Sequence, residues 1–162
     1  MSVLFQRLTA PRAIVLAADP ALDVDREGFA EAWAEYERTF GVSLLPIKTD
    51  CRPAVFLIRS LTAAQLAHVE DKMLQRAGVM HFGSAELETV AYGVVGLRDV
   101  QVDVDGVVSD VVCRRVKGDL GERLADDVLA IVAGRDDIRR ELWARIVACS
   151  HLSPESSKSN PL

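Results

Sequence analysis

No uninterrupted apolar run in this chain approaches the ~18 residues that a membrane-crossing helix needs, so no membrane partner is expected. The stretch "RAIVLAA" comes nearest to a secretory leader. It follows a mixed segment and runs at once into Asp19, Asp23 and Asp25, so no leader is expected either. Cysteine is scarce. Cys51, Cys113 and Cys149 are too few and too scattered for a disulfide framework, which points to a reducing cytoplasm. Basic excess is missing as well: the net charge is −5. The densest basic clusters are "CRRVK" at 113–117 and "RDDIRRELWAR" at 135–145, the second interleaved with acids. A nucleic-acid partner is therefore not expected. Aromatics make up only 6%, so the core must be built from Ala, Val, Leu and Ile.

The patterns that carry chemistry are also lacking. The histidines are His68, His81 and His151, and no CxxC or HxxxH pair accompanies them, so a zinc site is not expected. There is no G-x-S-x-G elbow. "GVVGLRDV" has two glycines but not the strand–GxGxxG–helix order of a nucleotide fold. Ser60, Ser84 and Ser109 fall near ends of predicted elements, where capping and turn roles explain them. Asp126-Asp127 and Asp136-Asp137 fall at helix starts, where the helix dipole explains them. The expectation is a protein without catalytic residues, metal or cofactor.

What is present is an apolar fraction of 49% in 162 residues, enough for the core of one domain. Residues 13–17 read as a short buried strand. A turn at "DPALDVDREG" leads into a helix capped by Asp25. Its Phe29, Trp33, Tyr36 and Phe40 share one face, with Gly41 as the stop. Residues 44–49 and 54–59 read as two strands of a hairpin around "TDCRP". Thr62 and Gln65 form a capping box. It opens a helix with Leu66, Val69, Met73 and Ala77 inward, closed by Gly78. Ser84 caps a third helix with Leu87, Val90, Ala91, Val94 and Val95 inward, ending near Gly96. Asp105-Gly106 is a two-residue hairpin signal between strands at 99–104 and 107–116, and "KGDLGE" reads as a loop. Leu124, Val128, Leu129 and Val132 mark a fourth helix, stopped by Gly134. Asp136 caps a fifth, with Ile138, Leu142, Ile146 and Cys149 inward. The expected fold is α+β: about five helices with one or two small antiparallel hairpins in a single domain, 1–152. The polar tail "SPESSKSNPL", residues 153–162, has nothing to bury.

Candidate binding residues follow from type and place. Trp33 and Tyr36 suit the helix core, yet both are interface hot-spot types. Trp143 is offset from the inward stripe of its helix. In the tail, Ser153, Glu155 and Lys158 could contribute to partner binding.

"LPIKTDCRPAVFLIRSLTAAQLAHVED" resembles the stretch in many small tailed-phage proteins where a "K-P-x-x-F-x-L-x-x-L-T" segment leads into a helix. "AYGVVGLRDVQ" is similar to their "A-x-x-x-G-L-x-x-(V/W)" helix end. "LADDVLAIVAGRDDIRRELWARIVACSHLSPESSKS" resembles their closing helices and "L-S-x-E-E-x-K-N-S" tail, here Leu152, Ser153, Glu155, Lys158 and Ser159 with the order partly changed. The likeness covers roughly residues 44–159; residues 1–43 match no such pattern. It implies a non-enzymatic tail assembly chaperone or minor virion protein. Its partners would be other phage tail or virion proteins, with self-association as a further possibility. It would work in the cytoplasm of the host bacterium or in the virion. The rival readings are an adaptor or regulatory protein-binding domain, and a small enzyme whose site forms only in three dimensions.

Overall fold

The structure is a computed structural model that describes residues 10–74 and 82–151. These form an α+β fold built around a three-stranded antiparallel sheet of β1 (Arg12–Ile14), β2 (Val55–Ile58) and β3 (Val94–Arg98), in the order β1-β2-β3. β2 is the middle strand. Val55, Phe56 and Ile58 are buried, which suits a run with almost no polar residue.

The expected hairpin of 44–49 with 54–59 is not formed. Val42–Leu44 is a 3-10 turn, and Ile47 makes one isolated antiparallel bridge to Leu22. Pro46 has no N–H to give a ladder; its carbonyl instead accepts the Asp23 amide at 2.9 Å. β2 finds both its neighbours at long range, pairing Ala13↔Leu57 on one side and Phe56↔Leu97 on the other. β1 is also shorter than the expected 13–17, because the Tyr36 hydroxyl takes both main-chain groups of Val15.

Five α-helices occur among the described residues. The first, α1, spans Phe29–Thr39. Asp25 does not cap it. The chain turns through Gly28 at φ +80°, and the Gly28 carbonyl accepts the Ala32 amide. The stop is Phe40, left-handed at φ 55°, not Gly41. The helix α2, Ala63–Leu74, opens with the expected capping box. The Gln65 amide donates to Thr62 Oγ1 at 3.2 Å, and the Thr62 amide donates to Gln65 Oε1 at 3.0 Å. Its expected continuation through Ala77 to Gly78 lies outside the described residues.

The next helix, α3, spans Phe82–Gly93, so Ser84 lies inside it and not at its cap. α3 does not continue to Gly96. It passes directly into β3, and Val94 and Val95 of the expected stripe are strand residues. Strand pairing decides this: the Gly93 carbonyl accepts the Arg59 amide at 2.9 Å, and Val94 stands opposite Ile58.

Two hairpins follow. β4 (Gln101–Val104) and β5 (Val107–Asp110) pair around Asp105-Gly106 as expected, though β5 stops short of 116. "KGDLGE" is not a loop; it is the heart of a second hairpin, β6 (Arg115–Gly118) with β7 (Gly121–Leu124). Asp119 and Leu120 form its turn, and Gly121, the first residue after it, has φ +111°, a conformation other residues reach only under strain.

The last two helices are α4 (Asp126–Val132) and α5 (Asp136–His151). The α5 cap position falls on Arg135, whose carbonyl accepts the Arg139 amide. Asp136 sits in the first turn and pairs with Arg139 at 2.8 Å. Leu142, Ile146 and Cys149 are buried as the stripe requires, with Ile138 packed at its edge. One apolar cluster runs through all of this, from Ile14 and Tyr36 through Ile58 and Val94 to Leu124, Leu142 and Ile146.

Candidate protein-interaction surface

Of the expected site residues, Trp33 and Tyr36 lie side by side on α1 and Trp143 stands on α5. Tyr36 is fully buried; its hydroxyl accepts the Val15 amide at 2.7 Å and donates to the Val15 carbonyl at 3.0 Å. No part of it is left for a partner, so Tyr36 is a core residue. Trp33 is half-buried between Phe29 (6.0 Å, stacked) and Tyr36 (5.1 Å), with the Arg145 guanidinium 5.8 Å from its ring. Trp143 is half-buried on α5. Ser153, Glu155 and Lys158 lie outside the described residues.

The titratable clusters are occupied in holding elements together. His68 on α2 meets Glu88 of α3, Nε2 to Oε2, at 3.1 Å. Arg139 of α5 binds Glu86 of α3, an almost buried carboxylate, at 2.8 Å. Glu141 accepts the Ala17 amide at 2.8 Å. Burial raises its carboxyl above the ordinary value, against the opposite pull of that hydrogen bond and of Arg145. Burial likewise raises the thiols of Cys113 and Cys149, which disfavours the reactive thiolate. Among the described residues, no group of three or more His, Cys, Asp or Glu side chains could hold a metal ion, and no helix is long and apolar enough to cross a membrane.

An open cavity of about 110 Å³ lies beside Leu16, Asp19, Phe56, Arg135 and Ile138. Its polar groups are already used. Asp19 accepts the amides of Ala21 and Ala54 at 2.8 and 2.7 Å, and Arg135 pairs with Asp137 at 2.7 Å.

The feature that stands apart is the β4–β5 hairpin. Strand residues alternate faces, so Val100, Val102 and Val104 share one face with Val111, Ser109 and Val107 across from them. This stripe begins in the core: Val100 is 9% exposed. Val102 is half-buried, and at the tip Val104 and Val107 are 58% and 68% exposed. A core face thus runs out of the molecule with no cover from the described residues. The other face carries Gln101, Asp103, Val108 and Asp110. Asp103 accepts the Gly106 amide at 2.8 Å, and Gln101 donates to Asp110 at 3.0 Å. The tip turn has left-handed φ at both Asp105 and Gly106, the geometry that suits a two-residue hairpin.

The valines of this hairpin were not among the expected binding residues. Alternation of Val with Asp is the signal for a half-buried strand, and nothing local says whether the apolar side is covered by the same chain. The available hint was the loop length on each side, too short to fold back over the tip.

Comparison of the chain with protein-family models, curated proteins and solved structures returned no match.

Proposed function

We propose that this chain is a non-enzymatic bacteriophage morphogenesis protein that acts by binding other proteins. It serves either as a tail assembly chaperone-like protein or as a minor structural component of the virion. Its partners are other tail or virion proteins, met in the cytoplasm of the host bacterium and, for a structural role, carried into the particle. The observation that carries the binding role is the valine stripe of β4–β5, which leaves the core and stays open at Val104 and Val107. A lone two-stranded hairpin is marginal in water, and an exposed edge invites another chain. The phage assignment itself rests on the resemblance across residues 44–159. The net charge of −5 helps keep such a surface from collecting its own copies.

The test is genetic. Disrupting the gene in a phage that carries it should give particles with missing or aberrant tails under the electron microscope, restored by supplying the protein in trans. Normal, infectious particles from the disrupted phage would remove the reading.

A further inference from the structure

We propose that the outer edge of β5 accepts an extended segment of another protein, one that alternates apolar with basic residues, as a third strand. This rests on the binding role proposed for the hairpin and names the chemistry of its partner.

The ladder shows which main-chain groups are open. The Val111 amide donates to the Val100 carbonyl at 2.8 Å, so these facing residues form a hydrogen-bonded pair. Such pairs alternate with non-bonded ones along an antiparallel ladder. Val102↔Ser109 and Val104↔Val107 are then bonded, while Gln101↔Asp110 and Asp103↔Val108 are not. The N–H and C=O groups of Val108 and Asp110 therefore point away from β4. Among the described residues nothing else pairs with this edge, and all four residues of β5 are exposed.

The two faces say what the added strand must carry. On one side its residues would lie beside Val107 and Ser109 of β5, extending the stripe that Val102 and Val104 form one strand further on, which calls for apolar and best β-branched side chains. On the other side they would lie beside Val108 and Asp110 of β5, with Asp103 one strand further on in β4, which calls for Lys or Arg opposite Asp110. From Arg98 to Val112 the chain holds four aspartates, Asp99, Asp103, Asp105 and Asp110, against one cation, Arg98. A second copy of the same strand would set Asp110 near its own kind, where like charges repel. Charge complementarity thus selects a basic, different partner over self-association. Strand addition of this kind draws affinity from the main chain and specificity from alternate side chains.

The probe is a short alternating Lys–Val peptide, with the matching Glu–Val peptide as control, titrated into the full-length isotope-labelled protein. The expected result is amide shifts clustered at residues 107–110 with the Lys–Val peptide, fading as salt is raised. Val104→Thr/Val107→Thr keeps β-branched residues in the strands and should weaken binding about tenfold, or about 1.4 kcal/mol. Asp110→Lys should turn the preference toward the Glu–Val peptide. No binding, equal binding of both peptides, or shifts centred elsewhere would overturn the proposal. So would concentration-dependent dimers in sedimentation that Val104→Thr/Val107→Thr abolishes. Peptide binding with normal particles after gene disruption would keep this edge and remove the phage assignment; the reverse pair of results would do the opposite.

Discussion

Tyr36 shows how a single side chain sets the local chain path. Its hydroxyl replaces a strand neighbour for Val15, using both its donor and its acceptor capacity. Tyr36→Phe keeps the ring but strands a buried amide and a buried carbonyl. We expect a loss of about 1–3 kcal/mol in urea unfolding, far more than an exposed Tyr would give. Glu141 carries a pH signature. Its ordinary value is 4.5, and burial lifts the folded value above that against the Ala17 amide and Arg145. The folded protein then keeps this proton where the unfolded chain has lost it. The contribution to stability is complete below 4.5 and is lost as pH rises through the folded value. The unfolding free energy of the wild type relative to Glu141→Gln should therefore fall as pH is raised from about 4 to about 7. A difference that grows with pH would contradict this.

At the scale of elements, the pieces closed by local bonds were legible and the pieces closed by distant ones were not. The Thr62–Gln65 box needs only neighbouring residues, and Thr62→Ala should cost about 1 kcal/mol by thermal or chemical unfolding. Asp105-Gly106 likewise announces its hairpin within two residues. The partners of β2 lie at 12–14 and 94–98, so adjacency in sequence misassigned it to 44–49. The α3–β3 junction was hidden for another reason: Val90, Ala91, Val94 and Val95 fit a helical stripe, and β-branched valines fit a strand as well. The junction glycine can be tested. A Cβ at Gly93 would stand 2.6 Å from both Cδ1 and Cγ2 of Ile146, so rotating one branch away brings no relief. Gly93→Ala should cost about 1–3 kcal/mol despite its better helix propensity. Adding Ile146→Ala, which removes both branches, should show a favourable coupling with Gly93→Ala in a double-mutant cycle; strict additivity would show that the two sites do not touch.

At the scale of the whole molecule, the described residues share one apolar cluster, with helices tied to one another by part-buried ion pairs such as Glu86–Arg139. Among the described residues, nothing covers either face of the β4–β5 tip. Its shape was legible in the sequence, its exposure was not, because cover is a property of everything else in the chain. Trp33 and Tyr36 suit either a core or an interface by residue type; position makes Tyr36 a core residue and leaves Trp33 half-buried beside it. We propose that the open hairpin is the working surface of a phage assembly protein. This is tested most directly by complementing the disrupted phage with Val104→Asp/Val107→Asp, after showing that the variant melts within a few degrees of wild type. The wild-type protein should restore tailed, infectious particles and the folded double variant should not. Full restoration by the variant would contradict it.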